Sequence, residues 1–117
     1  MKLNQIPCPE RWKLCSLGDI GKSYIGLTYK PENVVSKGGT LVLRSSNVFN
    51  NRISYEDNVF VDVPIPDRML TKQGDILICV RNGSQSLIGK NVLINESSAG
   101  HAFGAFMAVF RSEVNDY

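Results

Sequence analysis

The chain has 117 residues, 43% hydrophobic and 21% charged, with a net charge of +2. That balance excludes a disordered chain and allows one domain with its own hydrophobic core. No apolar run reaches the roughly 20 residues that span a bilayer, and residues 1–7 lack a signal-peptide core, so a cytoplasmic protein without a membrane partner is expected.

Residues 6–12 hold two prolines and read as an extended lead-in whose single tryptophan, Trp12, docks on the domain. Lys13 to Ile20 reads as a short strand and then a helical turn, with Ser16 as the cap and Asp19 three residues on. Gly21-Lys22-Ser23 looks like the end of a phosphate loop. Ser16 stands where the first glycine of that motif is required, which excludes it. Tyr24 to Pro31 is a loop or a short strand broken by Gly26. Its Tyr24, Thr28, Tyr29 and Lys30 can stack on or hydrogen-bond to a base or phosphate, partial burial of the rings being the competing reading.

Thr40–Leu43 reads as a strand that runs into Arg44-Ser45-Ser46-Asn47, and Asn50-Asn51 reads as a turn. Short strands are expected at 53–55 and 59–63, ended by Pro64 and Pro66, with one helical turn at 67–70. The central element follows. Gly74-Asp75 releases the apolar run Ile76 to Val80, which ends in Arg81-Asn82-Gly83-Ser84. Asn-Gly there is expected to supply the positive φ angles of a tight hairpin turn, with Leu87 to Ile94 as the partner strand. The hairpin so drawn gathers an arginine, an amide, a hydroxyl and Lys90 at one end, the groups that read bases beside phosphates. An ordinary solvated tip is the alternative. Ala102 to Arg111 reads as one last buried strand, with Gly104 marking a bulge, and the acidic residues 112–117 leave the domain. About seven short strands and one or two helical turns make this an α+β chain, mainly β.

Residues 1–67 hold eight basic and seven acidic side chains, 68–90 four and one, and 91–117 one and three. The basic excess therefore sits on the central hairpin, where it favours a phosphate backbone. No catalytic set is apparent. His101 is the single histidine, no serine lies in a Gly-x-Ser-x-Gly elbow, and the carboxylates are scattered. Cys8, Cys15 and Cys79 include no Cys-x-x-Cys pair and with one histidine offer no zinc set. The chain reads as a non-catalytic binding module.

The order Trp12…Leu17-Gly18-Asp19-Ile20, Leu43-Arg44 with Asn47-Val48, Gly74-Asp75-Ile76-Leu77, Arg81-Asn82-Gly83-Ser84, Ile88-Gly89-Lys90 and Phe106…Phe110-Arg111 resembles a target recognition domain of the DNA specificity (S) subunit of type I restriction–modification systems. The resemblance runs from about Pro9 to Arg111; each motif is weak alone, and their order is what is specific. It implies an irregular, twisted β-sheet domain with short helical turns that reads one half of a bipartite DNA target through the major groove. It also implies the partners: double-stranded DNA, modification (methyltransferase) subunits that methylate adenine, and a restriction subunit. The domain itself would hold no cofactor, since S-adenosylmethionine, ATP and Mg would belong to those partner subunits.

By position, Arg44-Ser45-Ser46-Asn47 and Arg81-Asn82-Gly83-Ser84 match recurrent motifs of that family and are expected to build scaffold or hold phosphates. Base readers are expected on loops without a family signature: Tyr24, Thr28, Tyr29, Lys30, Asn50, Asn51, Arg52 and Gln85. The full expected DNA-contacting set adds Lys22, Arg44, Ser45, Asn47, Arg81, Asn82, Ser84 and Lys90. The sequence departs from the family in stopping at Tyr117, as a single recognition domain over 1–117 with neither spacer helix nor second recognition domain. A fragment of a longer subunit or a truncated gene product is therefore expected, one that binds DNA weakly by itself. The rival readings are an inactive remnant of the same fold, a β module that binds protein or carbohydrate through Tyr24 and Tyr29, and a small hydrolase using His101.

Overall fold

The computed structural model describes Trp12 and residues 14–113. The fold is α+β and mainly β, with short helical turns between strands. One helical turn, α1 (Leu17–Ile20), opens it, with the Asp19 carboxylate accepting from the Ser16 N–H at 2.9 Å. The same contact, a side chain at i+3 accepting from the backbone N–H of i, recurs at Lys30–Asn33, Arg44–Asn47, Lys72–Asp75 and Asn95–Ser98. Small polar residues three positions apart thus make the corners, satisfying backbone donors that no ladder reaches.

Two four-stranded sheets and one hairpin result. The first sheet runs in the order β1 (Gly21–Ile25), β10 (Met107–Ser112), β7 (Ile76–Cys79), β8 (Asn91–Leu93), all antiparallel. The second runs β2 (Val34–Val35), β6 (Val59–Val61), β3 (Thr40–Leu43), β9 (Ala102–Phe103), with β3 and β9 parallel. The hairpin pairs β4 (Val48–Phe49) with β5 (Arg52–Ile53). Its two-residue tip is Asn50-Asn51, with φ of 49° and 60°, so this turn forms as the sequence indicates.

The main core lies between the sheets: Leu77, Cys79, Val92, Met107 and Val109 of the first face Leu41, Leu43 and Phe103 of the second, with Val48 and Ile94. The second sheet is also covered on its other side, where Val42, Val61 and Ala102 pack with Leu27 and the partly buried Tyr29, Ile65 and Met69. Covering on both faces explains why Leu41, Val42 and Leu43 are consecutive apolar residues rather than alternating ones.

Several expectations are corrected. Ala102 to Arg111 is not one strand: β9 and β10 belong to different sheets, joined by a turn at Ala105-Phe106. The turn is pinned by Gly104 N–H donating to Leu43 O (3.0 Å) and Met107 N–H donating to Gly104 O (2.9 Å). Gly26 passes so close beneath that a Cβ there would collide with the carbonyl oxygens of Phe103 and Gly104. Asn82-Gly83 does not make a tight turn, since neither residue has positive φ. Residues 80–90 form a longer connection with a 3₁₀ turn at Gln85–Leu87, closed by Gly89 at φ 95°, and the return strand is only Asn91–Leu93. Leu14 and Cys15 form no strand, and Lys13 lies outside the described residues. Trp12 is 74% exposed and lies outside the core.

Candidate nucleic-acid interface

Each of the two polar segments starts where an apolar strand runs out. β3 ends at Leu43, and Arg44 leaves it into a 3₁₀ turn, Ser45–Asn47. β7 ends at Cys79, and Arg81 and Asn82 leave it on the long connection. The fold brings these ends together. Asn82 Nδ2 donates to Ser45 Oγ (3.1 Å), and Lys90 Nζ donates to Ser45 O (3.0 Å). Ser45 is therefore the junction at which the three expected segments meet.

Most of the polar groups gathered there are used internally. Asn47 is fully buried: its Oδ1 accepts from Arg44 N–H (2.9 Å), and its Nδ2 donates to Ser54 O (2.9 Å), Asp57 O (3.2 Å) and Asn58 Oδ1 (3.2 Å). A side chain with no exposed surface and every hydrogen-bonding group engaged holds the loop 54–58 and touches no ligand. Arg44 Nη2 donates to Asp57 O (2.7 Å) and lies 3.4 Å from the Asp57 carboxylate, while its Nε is buried with no hydrogen-bond partner among the described residues. Asn82 Oδ1 also accepts from Ser84 N–H (2.9 Å), folding the 82–84 corner on itself.

Beside this junction lies an open groove of about 600 Å³. Leu27, Gly104, Ala105 and Met107 contribute its apolar surface, and Thr28, Tyr29, Arg44, Ser45, Ser46 and Asp57 its polar one. Phe106, at the tip of the β9–β10 turn, also lines it and is 57% exposed. The Arg81 guanidinium sits over that ring, 5.9 Å from its centre, and makes no ion pair among the described residues. Thr28, Tyr29, Arg44, Ser45 and Arg81 are thus gathered at one surface, with Lys30 exposed next to Tyr29. Phe106 was not among the expected residues. Its position, an aromatic after Gly104-Ala105 inside an apolar run, carries a turn signal only once the run is seen to split.

The other expected residues fall elsewhere. Tyr24 lies on β1, half-buried in the main core, with Arg111 stacked 5.0 Å from its ring centre. Arg111 in turn holds the buried Asp75 with both carboxylate oxygens (2.9 and 2.8 Å), and its Nη2 donates to Leu70 O (3.0 Å). The bond to Asp75 raises the Arg111 pKa above its ordinary value. Lys22, also on β1, is exposed and 3.7 Å from Glu113. Asn50 and Arg52 line a second groove under the β4–β5 hairpin, of about 620 Å³, with Phe49 and Tyr55. Asn51 Nδ2 donates to Asn91 O (3.1 Å), tying the hairpin to β8. Ser84 and Gln85 are exposed on the 80–90 connection, Ser84 sharing a hydrogen bond with Ser86.

His101 is half-buried edge-on to Tyr55, with ring centres 5.9 Å apart, and burial lowers its pKa. Among the described residues no cluster of His, Cys, Asp and Glu converges to hold a metal ion, and no helix is long and apolar enough to cross a membrane.

No family model matches the chain. Over 118 aligned positions it is 29% identical to the type I restriction enzyme StySPI specificity subunit of Salmonella potsdam, an alignment covering 95% of this chain. The chain spans about a quarter (25%) of the length of that curated relative. This similarity extends along nearly the whole chain.

Proposed function

We propose that this chain is a DNA target recognition domain of a type I restriction–modification specificity subunit, reading one half of a bipartite site. The observation that carries the reading is the similarity along 95% of the chain to the StySPI specificity subunit. The geometry supports it: Thr28, Tyr29, Ser45 and Ser46 line one open groove, and Arg81 lies over Phe106 at its edge, so that polar and cationic groups are gathered as a base-reading surface requires. The domain performs no chemistry. Modification subunits carrying S-adenosylmethionine would methylate adenine at the site it selects, and a restriction subunit using ATP and Mg would cut. Lys30, Arg52 and Lys22, exposed and spread over the surface, are assigned to phosphates, while Tyr24 and Asn47 serve as scaffold.

The test is a salt series of DNA binding by the full chain, read by fluorescence anisotropy on a labelled duplex. Binding should weaken as salt rises from 50 to 200 mM, as counterions compete for the phosphates (about 0.9 in log K per log salt for each phosphate contacted). Absence of binding at the lowest salt, by a chain shown to be folded, would overturn the proposal.

A further inference from the structure

Of the cationic and amide groups at the Ser45 junction, the structure leaves one in a distinctive state. Arg44 is bound to Asp57, Lys90 to Ser45 O and Asn82 to Ser45 Oγ. Arg81 alone of this set is exposed with no ion pair among the described residues, and its guanidinium lies over the exposed ring of Phe106. The two residues are also joined through the backbone, since Val80 and Arg81 N–H both donate to Phe106 O (3.0 and 3.1 Å). Phe106 itself stands on a turn anchored to both sheets through Gly104 and Met107.

Stacking limits the conformations of an exposed arginine and leaves its N–H edge free. An arginine so held loses less entropy on binding than a loose one. Its fork matches the O6 and N7 acceptors of guanine in the major groove, while an apolar ring matches the C5 methyl of thymine. The guanidinium carbon lies 5.9 Å from the Phe106 ring centre. Successive base pairs rise by about 3.4 Å, so this separation exceeds one step and places the two groups on different base pairs.

We infer that Arg81 and Phe106 form one reading unit that specifies a guanine, through Arg81, next to a thymine packed against Phe106. The inference rests on the proposed DNA-recognition function and sharpens it. It also moves Arg81 from the scaffold or phosphate role implied by its motif to a specificity-determining one.

The experiment is selection of binding sites from a randomised duplex library by the full chain, in parallel with Arg81→Ala, Arg81→Lys and Phe106→Leu. Both side chains are exposed, and each variant is checked by thermal melting. The wild type should enrich a motif containing one invariant guanine. Arg81→Ala should lose roughly ten- to a hundred-fold discrimination at that position alone, the worth of one bidentate contact, with Arg81→Lys only partly restoring it. Phe106→Leu should relax the adjacent thymine. A uniform loss across all sequences in Arg81→Ala would make Arg81 a phosphate contact and overturn the inference, as would unchanged motifs in the variants. A wild-type chain that enriches nothing would instead overturn the DNA-recognition reading itself.

Discussion

An arginine–aromatic pair lies at each end of β10, and the two pairs have opposite fates. At its C-terminal end Arg111 stacks on Tyr24, with Asp75 bonded to the guanidinium through both oxygens and only 1% exposed. At its N-terminal end Arg81 lies over Phe106 with no ion pair among the described residues, and both side chains are exposed. A cation over a ring, at 5.0 Å in the first pair and 5.9 Å in the second, is thus a structural clamp where a buried anion completes it and a presented hydrogen-bonding edge where none does. The difference lies in the third partner. Stacking alone says nothing about role; what neutralises the charge does.

The clamp end is where substitution should cost most. Asp75→Ala leaves the partly buried Arg111 without its carboxylate and should lose about 3–5 kcal/mol in urea denaturation, the usual cost of breaking a buried pair from one side. A loss below about 1 kcal/mol, the range of surface pairs, would erase the contrast with Arg81. Next comes Asn47→Ala, which strands the Arg44 N–H and the Ser54 carbonyl and leaves the Asp57 carbonyl only its bond from Arg44. It should cost about 2–4 kcal/mol, again read by denaturant. DNA affinity should then follow the folded fraction alone.

Arg81→Ala should behave in the reverse way, changing stability by no more than about 0.5 kcal/mol while removing discrimination at one base. Measuring its denaturation midpoint beside that of Asp75→Ala sets the two ends of β10 directly against each other. The smallest effect belongs to His101. Burial lowers its pKa in the folded state, so the unfolded chain takes up the proton more readily. Stability should be fully present above the ordinary imidazole value (~6.5) and decline as pH falls through it, and His101→Gln should flatten that slope in melts across pH 5–8.

What the sequence disclosed followed what local pattern can encode. Thr40–Leu43 and the Asn50-Asn51 tip appear where composition puts them, because a consecutive apolar run and an Asn-Asn pair each have few conformational options. The run from Ala102 to Arg111 misleads because both of its halves are buried, and apolar periodicity does not record a change of sheet. Asn82-Gly83 misleads for a different reason. Its amide is drawn to Ser45 and to the Ser84 N–H, tertiary and local bonds that override the pair's preference for positive φ.

The site was legible as a set of segments and illegible as a division of labour. The sequence places Arg44, Ser45, Arg81, Asn82 and Lys90 in matching contexts, and the fold does bring them together. Which of them is spent inward depends on Asp57 and on the carbonyl of Ser45, partners remote in sequence that no short motif announces. Tyr24 shows the same limit. Only the register of β1 against β10 places its ring under Arg111.

The most direct test of DNA recognition is a replacement. This chain would be substituted for the matching quarter of the StySPI specificity subunit, and the methylated motif read by single-molecule sequencing of the host genome. A changed half-site beside an unchanged one is the predicted result. An unaltered motif, or loss of all methylation by a hybrid subunit that still assembles with its partners, would contradict it.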